Sequence, residues 1–134
     1  MVILFGLLLV AHGLVFALFA GQAARLFELR PGMRWPDASW ALSGLIEDSA
    51  VRWIVAVLCS LVAVGFAVAG VTLMFRQSWW QVLAAAAAVS STLLLLIAWD
   101  GRLRGARDQG LYGIVINAGI VVCALVFHWP KATG

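Results

Sequence analysis

Four long apolar runs, separated by shorter polar stretches, dominate the chain. They span residues 2–24, 53–75, 79–99 and 111–129, and none contains Asp, Glu, Lys or Arg in its interior. A helix needs about 20 apolar residues to cross the hydrocarbon core of a bilayer, where it satisfies its own backbone hydrogen bonds. The pattern predicts an all-α membrane protein, in which residues 1–134 form a single domain built as a four-transmembrane-helix bundle.

The composition agrees with this class, since 64% of the 134 residues are hydrophobic and 11% are charged. The mean hydropathy is +1.03, and a soluble domain has about 25% charged residues. The composition therefore excludes an ordinary soluble domain. The isoelectric point of about 9.5 comes from arginines between the runs and gives no indication of a nucleic-acid partner.

The basic residues predict the orientation in the membrane. Seven of the nine fall in two of the loops: Arg25, Arg30, Arg34, Arg52, Arg102, Arg104 and Arg107. Because cytoplasmic loops are enriched in Lys and Arg, we expect both loops in the cytoplasm and both termini outside a bacterial cytoplasmic membrane. The first run lacks a basic n-region and is longer than a signal-peptide h-region, so it is expected to be a retained helix.

Aromatic residues mark the ends of the runs. They are Trp53, Trp79, Trp80, Trp99, Tyr112 and Trp129. Trp and Tyr concentrate at the two membrane–water interfaces, so we interpret these rings as interface anchors. The alternative is that one of them stacks on a quinone or a lipid.

The first loop is the longest and contains an amphipathic pattern. Pro36 suits the first turn of a helix, and Trp40, Leu45 and Ile46 supply apolar surface among polar residues. This pattern predicts a short interfacial helix; the alternative is an irregular loop held by Trp35 and Trp40. The charged loop at 100–110 is interpreted as a solvated linker, with contact to anionic headgroups as the alternative.

Five polar residues interrupt the runs at nearly one depth in the bilayer: His12, Ser60, Ser90, Ser91 and Asn117. Unpaired polar groups in hydrocarbon cost several kcal/mol each, so these side chains are expected to point inward and hydrogen-bond to one another. Such a layer has two interpretations. It either links helices structurally or forms a ligand-binding or proton-handling site.

Small residues are spaced by four within the runs, which favours close approach of helices. These stripes are Gly13, Ala17 and Gly21 in the first run, Gly65 and Ala69 in the second, and Ala84 and Ala88 in the third.

Candidate chemistry is sparse. The membrane segments offer one central histidine, whereas a zinc site needs three or four close ligands, so no metal is expected. Cys59 and Cys123 stand singly, which disfavours a thiol–disulfide relay. No nucleophile–base pair is present, and no catalytic residue is predicted. No cofactor is expected, although a quinone or a lipid fits the composition of the runs.

Short motifs resemble those of a known group. The segments "AHGLV", "SWW", "SSTLLLLIAWD" and a glycine followed by "IN" are similar to a family of uncharacterised bacterial four-helix membrane proteins. Members of that family have a second histidine where Phe16 stands. The overall plan is similar, more loosely, to DoxX-like four-helix proteins, which implies a link to quinone-coupled redox complexes.

Three functions remain open from the sequence. The first is an accessory subunit of a larger membrane complex or a bundle that binds a lipophilic ligand, without catalysis of its own. The second is a DoxX-like component of a membrane oxidoreductase, with quinone near His12. The third is a small transporter, which would need self-association because four helices enclose little space. Membrane lipid is the partner common to all three.

Overall fold

Helices make up most of the structure. The computed structural model describes residues 1–28, 35–36, 39–99 and 111–130, and within these ranges it contains helices and turns but no strand. The helices are α1 (Val2–Ala23), α2 (Asp48–Met74), α3 (Trp80–Ala98) and α4 (Leu111–Val121), and α4 continues into a π-helical turn (Val122–Val126). The all-α prediction is confirmed, and α1, α2 and α3 have the length and apolar composition of membrane-spanning helices.

The predicted boundaries agree closely for α1 and α3 and differ for the other two helices. α2 begins at Asp48, five residues before the apolar run. Its first turn contains polar residues that favour a helix but not a hydrocarbon environment, and Asp48 lies where a carboxylate is stabilised by the helix dipole. The fourth helical segment ends at Val126 rather than at residue 129. From Leu111 it is about 24 Å long, which is shorter than the hydrocarbon core of about 30 Å.

α1 and α2 pack with their backbones in direct contact. A Cβ built on Gly70 would lie 2.5 Å from the carbonyl oxygen of Gly6, and one built on Gly13 would lie 2.8 Å from that of Ala63. The contact therefore uses Gly13 from the predicted stripe and adds Gly6 and Gly70. Ala17, by contrast, is exposed, so the predicted spacing of four does not describe the face of α1 that meets α2.

α1 and α2 end in the same unusual way. After α2, the Arg76 N–H donates to the carbonyl of Leu73 and the Gln77 N–H to that of Thr72, which is the Schellman pattern. Arg76 occupies the left-handed position of this motif with φ 59°. Arg25 does so after α1 with φ 61°. A non-glycine residue in this conformation costs about 1–2 kcal/mol, so each site tolerates arginine where glycine is favoured.

The loop after α1 is held against the end of that helix. The carbonyl oxygen of Trp35 accepts from Arg25 Nη1 at 3.1 Å and from Gln22 Nε2 at 3.4 Å. The Trp35 indole is buried and packs on Phe19, with ring centroids 5.1 Å apart. Trp35 therefore fixes the loop to the end of α1.

The short interfacial helix predicted for this loop is wrong for residues 39–46, because residues 40–45 form turns and residue 46 a bend. Ser39 and Trp40 instead form hydrogen bonds with the end of α3. Ser39 Oγ donates to the carbonyl of Ile97, Trp40 Nε1 to that of Leu96 at 2.6 Å, and Trp40 N to that of Trp99 at 2.9 Å. Because the last carbonyls of a helix lack partners within the helix, these bonds stabilise the loop in a non-helical form. Asp37, Ala38 and the loop at 100–110 lie outside the described residues.

The opposite ends of the helices meet in an aromatic cluster. Phe5 contacts Trp80 and Trp129 edge-on, with ring centroids 5.8 Å and 5.6 Å apart. Met74 lies against Gly6 at the same end. The beginning of α1, the end of α2, the beginning of α3 and the end of the fourth segment are therefore neighbours, as an antiparallel succession of helices requires.

Candidate functional site

His12 lies at the middle of α1 and is 4% exposed. Its Nε2 atom is 2.7 Å from Oδ1 of Asn117 on α4. Because a carboxamide oxygen can only accept a hydrogen bond, Nε2 carries the hydrogen and donates it. The imidazole of the apolar first helix thus bridges α1 to α4.

Asn117 extends this bridge to α3. Its Nδ2 atom donates one hydrogen to Ser91 Oγ at 2.7 Å and the other to Thr92 Oγ1 at 2.9 Å. The two hydroxyls in turn donate to the carbonyl of Ala88, at 3.1 Å and 2.8 Å. Every hydrogen in this chain of bonds has an acceptor, and the bonds run in one direction from the imidazole to the backbone of α3.

Thr92 is the member of this network that the sequence did not single out. Successive residues on a helix are separated by about 100°, so a threonine beside a chosen serine is not expected to share its partner. Both hydroxyls reach Asn117 because an amide nitrogen has two hydrogens to donate. The signal available in the sequence is that Thr92 directly follows Ser91 and therefore lies at nearly the same depth.

Aromatic rings enclose the imidazole on its other sides. The His12 ring contacts Phe66 of α2 with centroids 4.7 Å apart and Phe16 of α1 with centroids 5.3 Å apart, both edge-on. Phe16 and Phe66 are fully buried and stacked on one another. All four helices therefore contribute a side chain to this region, and three of them contribute a hydrogen-bonding group.

Ser60 and Ser90 lie outside this network. Ser60 is exposed, and its hydroxyl donates to the carbonyl of Ala56 on its own helix at 2.8 Å. Ser90 is also exposed and borders a groove between α2 and α3. Of the five polar residues chosen from the sequence, the structure brings together His12, Ser91 and Asn117.

The groove between α2 and α3 is a long apolar recess with a volume of about 520 Å³. Its walls are aliphatic except for Ser90, and residues from both helices line it: Ile54, Leu58, Leu61 and Gly65 on α2, and Leu83, Ala86, Ser90, Leu93 and Ile97 on α3. A Cβ on Gly65 would lie 3.4 Å from the Cβ of Ala87, so small residues form its floor. The groove and the network occupy different faces of α3.

No protein-family model, curated protein or solved structure matches the chain. The resemblance carried by the short motifs of α1, α3 and α4 therefore stays a prediction.

The aromatic residues predicted as interface anchors differ in their exposure. Trp53, Trp79, Tyr112 and Trp129 are exposed and Trp99 is partly buried. Trp80 is 1% exposed, because the first turn of α3 turns its indole toward Phe5. Its position is that of an interior packing residue at the end of the helices.

The remaining candidate chemistry is dispersed. Within the described ranges, no three His, Cys, Asp or Glu side chains come close enough to bind one metal ion. Cys59 is buried in α2 and Cys123 lies in the π-helical turn, and both are free thiols. The His12 network and the α2–α3 groove are the features considered for the proposed function.

Proposed function

We propose that this chain is an integral membrane protein with four spanning segments that holds a lipophilic molecule in the α2–α3 groove and catalyses no reaction itself. In this role it serves as an accessory component of a membrane complex. The single observation that carries the proposal is the groove. Its volume of about 520 Å³ falls in the range of ligand pockets, about 300–1,000 Å³, and its walls lack charge.

The position of the groove supports a lipophilic occupant. It follows α2 from Ile54 to Gly65, a distance of about 16 Å along the helix axis. It is partly open rather than enclosed, so a long chain can enter it from the hydrocarbon region. Ser90 offers one hydroxyl inside it, which suits a molecule with few polar atoms.

The His12 network supports the absence of catalysis. The hydrogens of His12 Nε2 and Asn117 Nδ2 already have acceptors within the protein, and two phenylalanines contact the ring. A side chain that transfers a proton to or from a substrate must be accessible to that substrate and must be able to form a hydrogen bond with it. We therefore assign the network a structural role, as a polar link between α1, α3 and α4.

The ligand proposal is tested with a photoactivatable long-chain fatty acid in nanodiscs. Ala86 is exposed and lines the groove, so Ala86→Phe fills it without disturbing the core. Ala118 is an exposed alanine on α4 away from the groove, so Ala118→Phe is the matched control. We expect labelled peptides from α2 and α3 in the wild type and in Ala118→Phe, with a large reduction in Ala86→Phe. Equal labelling of the two variants would contradict the proposal.

Mass spectrometry of organic extracts from the purified protein separates the ligand classes. A retained acyl lipid that is lost in Ala86→Phe supports the proposal as stated. A retained isoprenoid quinone favours the quinone-linked oxidoreductase component instead. Co-purification of a larger membrane protein in stoichiometric amount supports the accessory role.

The proposed topology places both termini on the outer face of a bacterial cytoplasmic membrane. Its support is the distribution of arginines and the antiparallel order of the helices, which brings Phe5 and Trp129 to one end. A reporter active only in the periplasm, fused after Gly134, is expected to give signal. Signal from a cytoplasm-specific reporter at the same position would reverse the orientation.

A further inference from the structure

A second recess lies at the end of the protein where α1 begins and α2 ends. It has a volume of about 470 Å³ and is separate from the α2–α3 groove. Its lining consists of Met1, Val2, Ile3, Leu4, Arg76, Trp129 and Pro130. Arg76 is thus the one charged side chain among six apolar ones in this lining.

The backbone of Arg76 is fixed while its side chain is exposed. The Schellman motif after α2 holds its N–H on the carbonyl of Leu73 at 2.9 Å. In the described part of the chain, the guanidinium has no hydrogen bond and no ion pair. The structure thus presents a cation in a defined place without a counterion among the described residues.

The distribution of acidic side chains explains why Arg76 has no ion-pair partner among the described residues. Every acidic residue of the chain falls within residues 28–48 or 100–108. The described ones, Glu28, Glu47 and Asp48, follow α1 or begin α2, at the opposite end from the recess. Asp48 and Arg76 are separated by the length of α2, about 40 Å. The recess therefore has a positive charge that these carboxylates do not neutralise.

Trp129 provides a rigid aromatic wall. Its indole packs edge-on against Phe5, with ring centroids 5.6 Å apart, and its backbone N–H donates to the carbonyl of Cys123 at 2.8 Å. Indole rings favour the headgroup level of a membrane. A tryptophan beside an arginine is the combination expected where a phosphate and an acyl chain meet.

We propose that this recess binds one anionic phospholipid, with its phosphate on the Arg76 guanidinium and an acyl chain against the first turn of α1. The planar guanidinium matches the oxygens of a phosphate in a two-pronged arrangement. Exposed leucines continue the apolar path along α1 beyond Leu4, at Leu7 and Leu8. A free phosphate ion would use the cation and leave the apolar wall uncovered, whereas a phospholipid uses both.

The test measures the thermal stability of the purified full-length chain in neutral detergent during titration with phosphatidylglycerol or with phosphatidylcholine of the same acyl chains. We expect a saturable rise in Tm at lower concentration for phosphatidylglycerol. Arg76→Gln removes the charge, and about fivefold more phosphatidylglycerol should then be needed for the same rise. Arg52→Gln removes one charge at the opposite end and should leave the titration unchanged.

Arg76→Gly is a second test variant that should keep the fold, because glycine is favoured at φ 59°. This variant should be at least as stable as the wild type without added lipid and should lose the same lipid preference. Equal responses to the two lipids, or equal weakening in Arg52→Gln, would overturn the proposal. A rise in Tm with inorganic phosphate alone that matches phosphatidylglycerol would assign the site to a free anion and also overturn it.

Discussion

The Nε2 atom of His12 and the Oδ1 atom of Asn117 lie 2.7 Å apart, although 105 positions separate the two residues in the chain. This bond ties the first helix to the fourth, and its continuation through Asn117 ties both to α3. The fourth segment is short and contacts α3 more than α1. The polar link is therefore a hydrogen-bonded connection of this segment to both α1 and α3.

Replacement of His12 tests this link. Because Nε2 makes the bond, His12→Gln is the conservative variant, and it should change the free energy of unfolding by about 1 kcal/mol or less. His12→Leu leaves the Asn117 oxygen without a donor and should cost about 1–3 kcal/mol. Unfolding in detergent micelles measures both. Ser60→Ala, which removes an exposed hydroxyl bonded to its own helix, should stay within about 0.5 kcal/mol; equal losses for His12→Leu and Ser60→Ala would disprove the link.

Thr92 and Thr72 form a matched pair. Thr92→Val leaves one Asn117 amide hydrogen without an acceptor and should cost about 1–3 kcal/mol. Thr72 is buried, and its hydroxyl donates to the carbonyl of Ala69 on its own helix, so Thr72→Val should be nearly neutral. In an Asn117→Leu background the cost of Thr92→Val should vanish, because the two positions act through one bond. A cost that persists in that background would show that Thr92 stabilises the protein by another route.

The contact of α1 with α2 predicts opposite effects for two glycines. Gly70→Ala places a methyl group against the Gly6 backbone, and the resulting separation of the helices should cost about 1–3 kcal/mol. Gly119 has no atom within 4 Å of a built Cβ, so Gly119→Ala should be neutral or stabilising by about 0.5–1 kcal/mol. Thermal unfolding of the two variants side by side measures the difference. Equal stability would mean that the helices separate without loss.

Trp40 and Trp53 are equally exposed, at 65% and 64%, but of the two it is Trp40 that donates to the end of α3. Trp40→Phe should speed hydrogen exchange in the last turn of α3 by about fivefold, equivalent to about 1 kcal/mol. Trp53→Phe keeps a similar aromatic surface and should leave that turn unchanged. Faster exchange in both variants would indicate a general loss of stability rather than a local bond.

Hydropathy alone predicts α1 and α3 to within a residue at each end, because both helices are apolar throughout. It misses the start of α2, since the first turn of that helix is polar and is recognised by helix preference rather than by hydrophobicity. The amphipathic pattern of residues 39–46 is visible in the sequence and predicts a helix, but these residues are not helical in the structure. The carbonyls of α3 with which Ser39 and Trp40 pair are distant in the chain and are not visible in that pattern.

The polar residues around His12 show the same limit. Depth along each run places His12, Ser91 and Asn117 at one level, and the structure brings these three together. Depth carries no information on the direction of a side chain around its helix, so it also selects Ser60 and Ser90, which face outward. The burial of Trp80, which is 1% exposed, is not visible in the sequence for the same reason.

The number of residues in the π-helical turn at Val122–Val126 determines where Trp129 lies. A π turn contains one residue more than an α-helical path between the same points, and each residue rotates the next part of the helix by about 100°. Deletion of a single residue within 122–126 would restore α-helical winding and swing the indole away from Phe5. Length-preserving changes in the same stretch would keep the indole in place. The register of this segment therefore depends on the extra residue of the π turn, and a chain without that residue would lack one wall of the recess beside Arg76.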